Sequence, residues 1–186
     1  MRSIAPRLAV VLLVAACTLA ASYAARSMHA AGSPLAAGEI RVRVRPGGSY
    51  ARMEGDSIAV VRLLRCPPGA RDERGRASVA DPGASTVARN GVGDVLEIPA
   101  GAGPAGMNVE IARRPGLAHR RVEATADAAV TRAFLSIDVS GCEAASGMTV
   151  VLWGGGNDWT DVGGTLNGTA VTAELPHLSV YALAGN

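Results

Sequence analysis

Hydrophobic and polar positions alternate in short runs along most of this chain. Ile40, Val42 and Val44 alternate with Arg41, Arg43 and Arg45, the period-two pattern of a strand with one buried face. Pro46-Gly47-Gly48 stops that run. Residues 58–65 are more continuously apolar, which predicts a buried strand ending at Cys66-Pro67-Pro68-Gly69. Residues 67–93 then turn polar and rich in Gly and Pro, with a charged cluster over 71–76. They read as a long surface loop carrying one weak strand near 85–88. From Asp94 onward strands are predicted at 95–98, 107–113, 121–126, 133–139, 148–153, 170–175 and 178–183. Gly, Pro and Asn separate them, including Ser140-Gly141 and an Asn167-Gly168 pair that reads as a hairpin turn. No segment holds a helical period. The pattern predicts an all-β fold, an antiparallel β-sandwich of about eight or nine short strands over residues 39–186.

The N-terminus follows a different rule. Residues 1–7 carry Arg2 and Arg7, and residues 8–16 form an apolar run of nine. A bilayer span needs about 20 apolar residues, whereas nine suits the core of a secretory signal. Val14-Ala15-Ala16-Cys17 has the form of a bacterial lipobox, which would end the leader at Ala16 and place a lipid on Cys17. Small residues at Ala24-Ala25 or Ala30-Ala31 suit ordinary cleavage instead, with residues 1–25 as signal peptide and 26–38 as a flexible spacer. In a third reading Cys17 is a small apolar residue inside a longer hydrophobic segment. Each of these places the domain outside the cytoplasm of a bacterial cell: secreted, periplasmic or lipid-anchored.

Cysteine usage agrees with export. Apart from Cys17 the chain holds only Cys66 and Cys142, which in an oxidising compartment allow one pairing. Closing so long a loop adds at most about 4 kcal/mol in the chain-entropy model. Neither cysteine sits in a motif with a His, and the three His residues show no metal-ligand spacing.

Composition narrows the partners. The chain contains 18 Arg and no Lys against 16 acids, and all the acids lie beyond residue 38. Without Arg2 and Arg7 the balance is 16 to 16, so the domain is close to neutral and has no basic stripe for nucleic acid. About 150 residues remain after the leader, which suits one core rather than two. No cofactor motif stands out, since Gly154-Gly155-Gly156 lacks the Lys and helix of a phosphate-binding loop. Asp138, Glu143, Asp158 and Asp161 are carboxylates without the dense spacing of a calcium loop. Asn167-Gly168-Thr169 also fits a glycosylation acceptor.

Several motifs fall in a recognisable order. Residues 96–109 read LEIPAGAGPAGMNV, a strand, an IP-x-GA turn and a strand. Trp153, a glycine-rich turn, Trp159-Thr-Asp-Val-Gly-Gly, the Asn167-Gly168 turn and Val171-Thr-Ala-Glu follow, closing on Pro176-His177-Leu178-Ser179-Val180-Tyr181-Ala182-Leu183. Residues 94–186 thereby resemble the β-sandwich domain of ankyrins, netrin receptors and zonula occludens proteins and its bacterial secreted relatives. Leu178 stands at the Phe position of that family's HFS-x-YA ending. His177-Leu178-Ser179 also resembles the H-L-[ST] self-cleavage site of adhesion receptors. There the resemblance implies His177 as general base, Ser179 as nucleophile, and an N-to-O acyl shift that breaks the Leu178–Ser179 bond. The bracing cysteines of those receptors are replaced by Ala173 and Leu175.

Three functional readings result. The first is a non-enzymatic structural or interaction module at the cell envelope, bound to an unidentified protein or envelope component. It touches a membrane only through its signal peptide or a lipid on Cys17. The second is self-cleavage through His177 and Ser179. The third is carbohydrate or wall binding on a platform of Trp153 and Trp159, residues that alternatively pack in the sandwich.

Overall fold

A computed structural model describes residues 35–45, 57–67, 73–114 and 119–186. The expected signal peptide, Cys17 and most of the spacer lie outside the described residues, as do Arg71 and Asp72 of the charged cluster. Residues 37–186 belong to one compact unit. Among the described residues there are thirteen strands and no helix. In chain order they are β1 (Glu39–Val44), β2 (Ser57–Leu63), β3 (Glu73–Ser78) and β4 (Thr86–Arg89). Then come β5 (Val95–Ile98), β6 (Asn108–Arg113), β7 (Arg121–Ala126) and β8 (Ala133–Asp138). The last five are β9 (Thr149–Gly155), β10 (Asp158–Gly163), β11 (Thr165–Asn167), β12 (Ala170–Leu175) and β13 (Val180–Gly185).

The strands form two sheets. One has the order β11-β12-β8-β5-β4, with every neighbour antiparallel. The other runs β2-β1-β10-β9-β13-β7-β6-β3. Alternate side chains of the two sheets interdigitate in a sandwich core. Leu96, Ile98, Leu135, Ile137, Val171 and Leu175 enter it from the smaller sheet, and Val109, Ile111, Val122, Val150, Tyr181 and Leu183 from the larger. The all-β, two-sheet expectation holds.

Four details depart from expectation. Strands number thirteen rather than eight or nine, because β3, β10 and β11 carry too little apolar signal to be read as strands and β4 carries only a weak one. Gly75 shows why for β3: a Cβ there would lie 2.0 Å from the Arg89 carbonyl oxygen, so the close approach of β4 requires a residue without a side chain. Its neighbours Arg74 and Arg76 point outward and pair with Glu110 at 2.9 and 2.6 Å. The charged segment 73–78 is thus an edge strand rather than part of a loop. β11 is fully exposed and is held by its hairpin to β12. Gly168 (φ +59°) supplies the positive φ of the first turn position, as in a type II′ turn.

The third departure is that β1 and β10 pair in parallel, with Val42 opposite Trp159, so the larger sheet is not wholly antiparallel. No hairpin joins these distant segments, and nothing local constrains their relative direction. The fourth is a second core. β2 pairs with β1 along its whole length and also meets β13 at Leu63 and Arg62. The order β2-β1-β10-β9-β13 therefore closes on itself as a five-stranded barrel. Ile40, Val42, Val44, Ala59, Val61, Leu63, Val151, Trp159, Ala182 and Ala184 fill it. One expected core is in fact two clusters that share a wall.

Trp159 is 3% exposed in the barrel, whereas Trp153 is 41% exposed. Trp159→Ala is expected to open a cavity and cost about 3–5 kcal/mol, while Trp153→Ala costs about 1 kcal/mol or less. Urea unfolding of the two variants, compared with the parent chain, measures the difference.

Candidate functional site

The two expected thiols meet in a disulfide between Cys66, just beyond β2, and Cys142, just beyond β8. The link ties the barrel to the smaller sheet across 76 residues of sequence. Backbone contacts flank it: Arg65 N–H donates to the Glu143 carboxylate at 3.0 Å, and Glu143 N–H donates to the Arg65 carbonyl at 2.7 Å.

Buried charges gather at the same end of the sandwich. Asp94 is fully buried, accepting from the Asn90 amide at 2.9 Å and from Asp138 N–H at 3.0 Å. Burial pushes the Asp94 carboxyl above the usual carboxylate range, against the hydrogen bonds and the neighbouring guanidiniums. Arg120 donates to the Asp138 carbonyl and to its carboxylate, the latter at 3.3 Å. Partial burial opposes ionisation of Asp138, but Ser140 and Arg120 together outweigh it and hold the carboxyl below its ordinary value. Burial, then repulsion from Arg120, lowers the pKa of Arg113, whose Nη2 donates to the Pro67 carbonyl at 3.2 Å. These groups are spent largely on one another and on backbone, which makes the cluster a brace around the disulfide.

The carboxylates singled out from the sequence are dispersed. Asp138 and Glu143 serve the brace. Asp161 is 2% exposed and accepts from Thr149 Oγ at 2.5 Å and from Gly163 N–H at 2.9 Å. Among the described residues no group of three His, Cys, Asp or Glu is placed to hold a metal ion.

His177, Leu178 and Ser179 form a bend directly before β13. His177 is exposed, Leu178 packs on the sandwich core, and the Ser179 carbonyl accepts from Ala124 N–H at 2.9 Å. The buried Tyr181 hydroxyl donates to the His177 carbonyl. No hydrogen bond joins the His177 ring to the Ser179 hydroxyl in this arrangement. A groove of about 470 Å³ runs beside the bend, bordered by Thr125, Ala126 and Val130.

The two tryptophans part company. Trp159 points into the barrel and cannot serve as half of a surface platform; the parity of β10 directs it inward. Trp153 lies at the rim of an open groove of about 460 Å³, with Ala112, Arg114, Arg121, Glu123 and Val180. Its indole N–H donates to the Gly156 carbonyl at 3.2 Å, which fixes the ring. Arg121 stacks over the Trp159 ring at 5.4 Å, and Arg114 pairs with Glu123 at 3.2 Å. Sequence reading did not single out Arg121 or Glu123. The alternation in Arg121–Ala126 carried the signal, since it puts both on one face of β7.

Comparison of the chain with protein-family models, with curated proteins and with solved structures found no match. Its class therefore rests on its own architecture: an all-β, two-sheet domain with one disulfide.

Burial raises the Tyr181 pKa to about 12. The folded value lies above the unfolded one of about 10. Stability from the neutral hydroxyl is thus complete below pH about 10 and is lost as pH climbs through about 12. Alkaline absorbance titration is expected to show one late tyrosine that Tyr181→Phe removes.

Proposed function

We propose that this chain is an exported, non-enzymatic β-sandwich module that holds or contacts components of the bacterial cell envelope. The observation that carries the reading is the Cys66–Cys142 bridge, which is compatible with an oxidising compartment. It stands in a chain whose N-terminal residues follow the pattern of a secretory leader. The buried charges support the same reading, because they brace the sandwich instead of facing a cleft. Its exposed rim at Trp153 and its sheet faces are the surfaces for contact. The resemblance to the ankyrin and netrin-receptor domain adds the expectation of a binding rather than a catalytic role.

Alkylation of protein recovered from native cell fractions tests this. Cys66 and Cys142 are expected to resist the reagent until reduced, in an extracytoplasmic fraction; free thiols at both positions would end the proposal. The double variant Cys66→Ser/Cys142→Ser is expected to lose up to about 4 kcal/mol of stability by urea unfolding. Intact mass separates a holding role from self-cleavage. Retention of Ser179 through Asn186 fits the former, and their loss, abolished by Ser179→Ala, would replace it with the latter.

One observation favours a second reading, carbohydrate binding. Trp153 offers an exposed ring beside Arg121 and Glu123, a stacking face next to polar groups that recognise hydroxyls. Titration with cell-wall oligosaccharides is then expected to change tryptophan fluorescence in the parent chain and not in Trp153→Ala. No response to any of them would remove this reading.

A further inference from the structure

We propose that the outer face of the β1–β2 hairpin docks on an anionic membrane surface. The alternation that sends Ala59, Val61 and Leu63 into the barrel sends Ile58, Val60 and Arg62 outward. Ile58 and Val60 are 55% and 54% exposed, more than any other large apolar side chain among the described residues. On β1 the same rule buries Ile40, Val42 and Val44 and turns Arg41 and Arg43 outward. The antiparallel register sets Arg43 opposite Ile58 and Arg41 opposite Val60, while Arg62 faces Glu39. Arg45 follows at the exposed end of β1. Two adjacent apolar side chains are thereby framed by four arginines.

The charges around this patch are unbalanced. Arg74, Arg76, Arg114, Arg120 and Arg132 each pair with a carboxylate elsewhere in the fold. No described carboxylate lies within ion-pair distance of Arg41, Arg43, Arg45 or Arg62. Among the described residues the acids on neighbouring positions are Glu39 and Asp158, the latter opposite Arg41 in the parallel ladder. Among the described residues, four cations against two acids leave this face positive on a domain that is close to neutral as a whole.

Lipid is the occupant that suits this chemistry and this position in the chain. Guanidiniums pair with phosphate headgroups while their stems and the flanking Ile and Val lie at the acyl boundary. The hairpin is also the first part of the domain after the leader. Residues 17–38 separate the apolar run 8–16 from β1. A leader or lipid retained at the N-terminus would tether the chain directly ahead of this hairpin in sequence and raise the effective concentration of the domain at the bilayer.

The inference rests on the envelope reading, and its test fails separately from that reading. The exported chain, purified, is cosedimented with vesicles of phosphatidylcholine alone and with vesicles of an equimolar phosphatidylcholine–phosphatidylglycerol mixture, at low and high salt. An N-terminal lipid would add equally to both, so the readout is their ratio. Phosphatidylglycerol is expected to strengthen binding about tenfold or more at low salt, and salt to erase the gain. Arg41→Ser/Arg43→Ser and Ile58→Ser/Val60→Ser are each expected to remove the preference. Arg74→Ser/Arg76→Ser, which lowers net charge equally at another face, is expected to keep it. Equal binding to both vesicles, or equal loss in the control variant, would overturn the proposal. So would self-association of the parent chain abolished by Ile58→Ser/Val60→Ser, since a second copy would then own the patch. Free thiols at Cys66 and Cys142 would instead remove the envelope reading itself.

Discussion

Two strands carry packing on both faces, and the rest of the architecture depends on them. β9 turns Val150 toward the sandwich core and Val151 into the barrel; β13 turns Tyr181 and Leu183 one way and Ala182 and Ala184 the other. Neither strand has a solvent face along this stretch. That explains the small residues at 182 and 184, which leave room for the Trp159 indole in a barrel of only five strands. It also explains how about 150 residues sustain two clusters: the wall is counted in both, so little additional chain is needed to enclose the second. β13 is the last strand of the chain, and the barrel closes only when it meets β2 from near the beginning. Its ordering depends on contacts far apart in sequence, a topology that folds slowly for the entropy of closing long loops.

The disulfide and its polar surroundings act on that same problem. The bridge fastens the exit of β2 to the loop after β8, joining the barrel to the opposite sheet. Around it Asp94, Asp138, Arg113 and Arg120 lie mostly or wholly out of water. Such groups contribute little net stability, but leaving any of them without a partner is costly, so they select one arrangement of the end of the sandwich over its competitors. Among the described residues Arg74, Arg76, Arg114, Arg120 and Arg132 pair with carboxylates, and Arg41, Arg43 and Arg62 of the barrel exterior form no such pair.

Much of this was legible along the chain. The period-two pattern located β5, β7 and β12 with the ends that the fold shows, and placed β1, β2, β6, β8, β9 and β13 within a few residues. Asn167-Gly168 announced its hairpin. β3 and β11 were not legible, because an edge or exposed strand needs no large apolar residue and reads like a loop. β10 was hidden by its glycines and by Asp161, a buried carboxylate whose Oδ1 accepts from Thr149 and Gly163. Of the site residues, the pairing of Cys66 with Cys142 was legible once Cys17 was assigned to the N-terminal apolar segment. The separate fates of Trp153 and Trp159 did not follow, since the two stand opposite each other in the β9–β10 ladder and only the closure of the barrel covers one ring and leaves the other at its rim.

Sequence alone determined that this chain builds sheets, that one side of most strands is apolar, and that Cys66 and Cys142 are the cysteines of the β-rich segment. These are properties of neighbouring residues, set by side-chain type and a spacing of two. Tertiary structure decided what lies beyond the neighbours: the parallel contact of β1 with β10, the closure of the barrel and the covering of Trp159 while Trp153 stays exposed. Strands pair through backbone groups that are the same in every residue, so the choice among partners is made by the packing of the whole and is written at no single position.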